Sequence, residues 1–179
     1  MKNFIVLILM LLSLGWREAY GQNTYYMKLD GIQGEVTAEG YKDWVAVSSF
    51  MLGMGVPTAS GNAPHAPLPK LDDVVIVKSV DLASTGLNQR CIKGDQQRTV
   101  TLVCVRSADV HAGTFVHYRV TLGDVVIKSV RVKGDASAMV EEVSFAPARI
   151  KWEYWPLRPD GSPGPGVSAE WDIGHGAPK

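Results

Sequence analysis

Thr114–Lys133 reads TFVHYRVTLGDVVIKSVRVK. In its first half, Val116, Tyr118, Val120 and Leu122 alternate with Phe115, His117, Arg119 and Thr121. That is the period of a strand with one face in a core. Leu122-Gly123-Asp124-Val125 has turn composition, so the stretch predicts a tight hairpin with a second strand over Val125–Lys133. Working outward, Ile150, Trp152 and Tyr154 alternate with Arg149, Lys151 and Glu153, and Tyr25, Met27 and Leu29 with Tyr26, Lys28 and Asp30. Further strands are expected over Val74–Val80, Arg98–Arg106, Met139–Phe145 and Arg149–Trp155, with a short segment from Gly34 to Thr37 after the Asp30-Gly31 turn. One helix interrupts them. Ser84 is its expected N-cap, Leu87 and Cys91 share a face four residues apart, and Gly94 suits the residue past its end. The pattern predicts a mostly β chain: a small antiparallel β-barrel or sandwich with one short α-helix closing an open end.

Two stretches stand apart. Trp44–Leu52 (WVAVSSFML) is apolar or small on both faces. Trp44, Ala46, Ser48, Phe50 and Leu52 would form one face, and Val45, Val47, Ser49 and Met51 the other. One barrel can bury only one of these in its own core, so the other is expected to meet the helix or a second copy. Trp44, Phe50, Met51 and Leu52 are therefore the expected self-association residues. Gly53–Asp73 holds Pro57, Pro64, Pro67 and Pro69 and is far longer than the ordinary connection of about 4–6 residues.

The N-terminus reads as an export segment. Lys2 is followed by the apolar run Phe4–Leu14, and Ala19 and Gly21 are small residues placed as at a cleavage site. The run is much shorter than the ~20 apolar residues that span a bilayer. The expected division is a signal peptide at 1–21, a barrel domain at 22–158 and a Pro/Gly-rich tail at 159–179. Cleavage would leave 158 residues with one net negative charge, enough for one domain with a substantial core. The expected location is secreted or periplasmic by way of the signal peptide, or cytoplasmic and then secreted if the signal is not used, with no stable membrane insertion after cleavage. Eighteen basic and eighteen acidic residues give no electrostatic case for nucleic acid or an anionic membrane.

Little chemistry is visible. His65 and His175 sit in Pro/Gly-rich loops, His111 and His117 flank a turn, and no pair has the spacing of a helical metal site. Glu141 and Glu142 are neighbours on a strand and point to opposite faces. Asp72-Asp73 reads as a strand entry. Nucleophile-elbow and phosphate-loop motifs are absent from the sequence. Cys91 and Cys104 read as small buried hydrophobes, although spacing alone leaves a disulfide open. Trp152 and Tyr154 share the Ile150 face and belong to the core, which leaves Trp155 as the outward ring. No catalytic, metal or cofactor-binding residue is expected.

Five segments in order carry a resemblance. Residues 26–36 (YMKLDGIQGEV), 76–94 (IVKSVDLASTGLNQRCIKG), 98–105 (RTVTLVCV), 143–155 (VSFAPARIKWEYW) and the tail 159–172 (PDGSPGPGVSAEWD) resemble, from about Tyr25 to Asp172, the haemolysin-coregulated protein (Hcp) family, the tube protein of the type VI secretion system. The resemblance implies a one-helix β-barrel without catalytic residues. It implies copies joined side by side in hexameric rings that stack into a tube. It also implies sheath, spike and effector proteins as partners, with effectors carried in the ring lumen. The Met1–Gly21 segment departs from the family pattern. The alternative is therefore an exported Hcp-like barrel that serves as a binding or surface module without tube formation.

Overall fold

The structure, a computed structural model, describes residues 23–56, 70–107 and 114–178. The expected export segment 1–21, the prolines of the 53–73 loop, His65 and His111 lie outside the described residues.

The strands are β1 (Asn23–Leu29), β2 (Val45–Val47), β3 (Ser49–Met51), β4 (Met54–Gly55), β5 (Lys70–Leu71) and β6 (Val74–Ser79). Helix α1 (Ala83–Lys93) is followed by β7 (Gln96–Ser107), β8 (Thr114–Gly134), β9 (Met139–Tyr154), β10 (Val167–Asp172) and β11 (Ala177–Pro178). The main sheet runs β11-β10-β9-β8-β7-β1-β2, and β6 joins β9 to β3. All its pairings are antiparallel. β2 and β3 are consecutive pieces of one strand, the first paired with β1 and the second with β6. That handover brings the two ends of the sheet together into a nearly closed barrel, as the strand pattern predicts.

The core is built from the inward alternation of these strands. Met27, Leu29, Ile76, Val100, Leu122, Ile127, Val143, Phe145 and Ile150 are all buried in one cluster. Helix α1 adds Ala83 and Leu87, while Cys91 is partly buried against the same cluster. It lies over the barrel end where β6 and β1 leave and β7 enters. Arg90 donates to the Asp30 carbonyl at 2.7 Å and to the Gln97 side chain, tying the helix to both neighbouring turns. Gly94 ends the helix with φ 67°, a left-handed conformation that glycine adopts without strain.

Several expectations are corrected. Leu122–Val125 is not a hairpin: β8 runs through it from Thr114 to Gly134. Asp124 takes a turn-like φ of 51°, but the register with β9 continues from Gly123↔Arg149 to Val125↔Pro147. The Arg149 guanidinium holds the kink, donating twice to the Asp124 carboxylate at 2.9 and 2.7 Å. A Cβ on Gly123 would sit 3.2 Å from that guanidinium, so the kink also depends on the missing side chain. The strands expected at Met139–Phe145 and Arg149–Trp155 are likewise one strand, β9. Ser84 is not the cap. Leu82 holds that position without a side-chain cap; beside it Asp81 Oδ1 accepts from the Ala83 N–H at 2.9 Å, and Ser84 Oγ accepts from the Asp81 N–H at 2.9 Å. The Gly34–Thr37 segment forms no strand; Gly34 and Val36 donate to the Asp43 and Trp44 carbonyls instead. The 159–179 segment contributes β10, which extends the sheet beside β9, and Trp171 packs against the core. Both cysteines are free, with Cys104 buried and its thiol pKa pushed up by burial.

Candidate functional site

The strand 44–52 changes its inward side at Ser48. Val45 and Val47 point into the core and Ala46 is exposed. Ser48 donates its N–H to the Val77 carbonyl at 2.8 Å, at the point where the strand leaves β1 for β6. Beyond it Phe50 and Leu52 face inward and pack against the core, and Phe50 meets Tyr25 edge-on at 5.5 Å. A single alternation over 44–52 therefore does not hold, because the break at Ser48 moves the period by one. Of the four expected self-association residues, Phe50 and Leu52 belong to the barrel. Trp44 is half-buried beneath Tyr41, edge-on at 5.3 Å, with the Lys28 ammonium 5.8 Å from its ring. Met51 alone turns a large apolar side chain outward, 66% exposed.

Met51 leads into an apolar end. Met54 and Val56, on and beside the β4–β5 hairpin, are also exposed. Beneath them Leu71, Ile150, Trp152, Trp171 and Ile173 line a cleft of about 290 Å³. At the opposite end of β6, beside α1, Val80, Leu82, Val132 and Met139 are exposed together. Val80 donates its N–H to the Met139 carbonyl at 3.2 Å, which fastens two members of this second patch to each other. Sequence reasoning missed it, because its members come from three separated segments and none stands out alone.

Under the second patch lies a buried charge network. Lys78 and Glu141 are both 0% exposed, and Lys78 Nζ donates to Glu141 Oε1 at 2.6 Å, to Asp81 Oδ1 at 2.6 Å and to the Ser79 carbonyl at 2.8 Å. Ser84 Oγ donates to the same Glu141 oxygen at 2.9 Å. As expected from strand geometry, Glu142 faces the other way and accepts from Arg131 at 3.0 Å at the surface. The network ties the start of α1 to β6 and β9. It fixes a surface and holds no reactive group open to a substrate.

The remaining candidates for chemistry do not converge. His117 Nδ1 lies 3.0 Å from the Trp155 carbonyl, and burial, then the Arg106 charge, hold its pKa below the ordinary value. Asp73 faces Lys128 at 3.7 Å, and Asp72 faces Lys70 at 3.5 Å. The His175 ring lies 3.0 Å from Asp172 at the surface. Among the described residues no group of three or more His, Cys, Asp and Glu is placed to hold a metal. Trp155 lies under the Arg119 guanidinium at 5.2 Å, whereas Tyr154, expected in the core, is 41% exposed at the rim. Among the described residues the surface carries apolar patches, and the titratable groups named above stand apart from one another.

Comparison with known proteins matches this arrangement to a family. The model of the family described as "Type VI secretion system effector, Hcp" matches residues 26–154. No curated protein sequence matches the chain. Among solved structures, a type six secretion system protein superposes with TM-score 0.79 at 22% identity, covering 88% of this chain and all of the other. Hcp1 from Salmonella typhimurium gives TM-score 0.73 at 20% identity over 88% of this chain and 99% of its own. A type VI secretion system effector from Yersinia pestis gives 0.64 at 21% identity over 83% and 99%. At these identities the likeness is one of fold.

Proposed function

Because the chain belongs to the Hcp family of type VI secretion proteins, we propose that it is a non-enzymatic wall component, assembling into hexameric rings that stack into a tube. The observation that carries this reading is the pair of unlike apolar surfaces at opposite ends of β6. Met51, Met54 and Val56 lie at the Val74 end, and Val80, Leu82, Val132 and Met139 at the Ser79 end. Six strand residues separate them by roughly 17 Å. Head-to-tail assembly needs two different complementary faces, and a closed ring needs such a pair around its circumference. Exposed apolar patches of this kind mark contact surfaces. Met51, on the barrel wall, serves the lateral contact; the hairpin and helix ends serve the stacking of one ring on the next.

In this reading the lumen carries effector proteins, and sheath and spike proteins contact the assembled tube. Electron microscopy of concentrated protein tests it. Rings and short stacks are expected for the unmodified chain. Leu82→Asp or Met54→Asp should leave separate rings, and Met51→Asp should remove the rings. Stacks that persist unchanged in both end variants would overturn the assignment of the ends.

A further inference from the structure

The handover of the strand at Ser48 leaves a notch in the barrel wall. β2 pairs with β1 and β3 with β6, so on the Val45 side of Ser48 the strands β2 and β6 are not hydrogen-bonded to each other. The notch between them has a volume of about 510 Å³, and Tyr26, Glu35, Ala46, Ser48, Ser79 and Asp81 are among its walls. Backbone alternation decides which groups face it. Trp44 donates to the Tyr41 carbonyl and accepts from Val36, and Ser48 donates to Val77, all away from β1. Ala46, midway between them, turns its N–H and C=O the same way. On β6, Val80 donates to the Met139 carbonyl of β9, so the neighbouring Ser79 turns its N–H away from β9 and toward the notch.

Ala46 and Ser79 are both exposed, and these backbone groups have no partner among the described residues. An unpaired strand edge of this kind is a template for a further strand. The charge around it is one-sided. Glu35 and Asp81 are the charged side chains among the described residues that line the notch, and neither is basic. Glu35 accepts from the Leu82 N–H at 3.0 Å and has no cationic partner among the described residues. Asp81 belongs to the buried network beneath, where the Lys78 ammonium meets Asp81 and Glu141 at 2.6 Å each. Three carboxylates thus stand against one ammonium, two of them at the wall and one behind it. A recess lined by one sign of charge concentrates the opposite sign.

We propose that this notch binds an extended basic peptide segment of a partner protein, added to the open edges at Ala46 and Ser79 as a short strand. The peptide backbone donates to the Ala46 carbonyl and accepts from the Ala46 and Ser79 N–H groups. Its Lys or Arg side chains, at every second residue, lie on one face of the added strand and reach Glu35 and Asp81. Main-chain bonds supply the affinity, and the two carboxylates select the charge. The binding needs no ring, so it stands or falls apart from tube formation.

Three end-blocked hexapeptides are the probes. One alternates Lys and Val, one alternates Glu and Val, and the third is the Lys–Val peptide N-methylated at every second residue. Each is titrated into the mature chain by calorimetry and by following amide signals in ¹⁵N spectra. The Lys–Val peptide should bind with one site per chain and about tenfold or more tighter than the Glu–Val peptide. The Ala46 and Ser79 amide signals should move. N-methylation removes backbone donors and keeps the charge, and should weaken binding about tenfold, the worth of one or two backbone hydrogen bonds. Glu35→Gln keeps an oxygen for the Leu82 N–H and removes the charge. It should weaken the Lys–Val peptide about two- to fivefold, as expected for an exposed ion pair. The proposal is overturned if Lys–Val binding does not saturate, or if the N-methylated peptide binds equally well. It is equally overturned if Glu35→Gln leaves the affinity unchanged, or if the shifted signals are confined to the Asp72–Asp73 end of β6.

Discussion

Lys78 Nζ and Glu141 Oε1 meet at 2.6 Å with neither side chain exposed to water, joining β6 to β9 across 63 residues of sequence. Glu141 Oε2 has no partner among the described residues, so the pair is well bonded on one side only. Removing one member leaves the other charge buried without compensation, which costs about 3–5 kcal/mol. Lys78→Met and Glu141→Leu should each lower stability by about that amount in urea unfolding. The double variant should lose much less than the two losses added. Simple additivity would show that the two charges do not depend on each other.

His117 makes stability depend on pH. Burial first, and the Arg106 charge second, lower its pKa in the folded chain. The rings of Phe115 and Tyr154 and the Trp155 carbonyl complete its surroundings. The unfolded chain therefore takes up a proton at higher pH than the folded one. The contribution is fully present above the ordinary value of about 6.5 and is lost as pH falls from there toward the lowered folded value. His117→Gln should flatten the stability profile across that window. Assembly should be unaffected, since the half-buried ring touches neither apolar end. An unchanged profile would contradict the lowered pKa.

The two thiols should differ in reactivity. Cys104 is buried and its pKa is raised by burial, while Cys91 sits on α1 with partial access to water. Thiolate, not thiol, reacts. A maleimide should label one site in the native chain, at Cys91, and both sites in denaturant. Equal labelling rates in the native chain would show that the β7 position is open.

How much of this was legible in the sequence follows from how local each feature is. The alternations at 25–29, 118–122 and 150–152 read correctly because one face of each stretch meets the core, whereas Tyr154 lies beyond it at the rim. The helix end at Gly94 also read correctly, since a left-handed residue past a last turn is a local requirement. Gly123-Asp124 misled because turn-forming residues also make kinks, and only the distant Arg149 decides that the chain continues. Ser48 misled in the opposite way: nothing near it signals that the strand changes partner from β1 to β6. The Lys78–Glu141 pair and the Val80–Leu82–Val132–Met139 patch exist only after folding, so no window of sequence contains them.

The central claim is self-association through a wall position. Met51 is 66% exposed on the outside of the strand that closes the barrel, so a charge there should leave the fold intact. Buried in a contact between copies, that charge would cost several kcal/mol of association. Native mass spectrometry of the mature chain at high micromolar concentration, beside Met51→Asp with an unchanged circular dichroism spectrum, is the direct measurement. A hexamer for the unmodified chain and a monomer for the variant are the expected results. A monomer for the unmodified chain would contradict the ring, and a hexamer in both would contradict the place of Met51 in it.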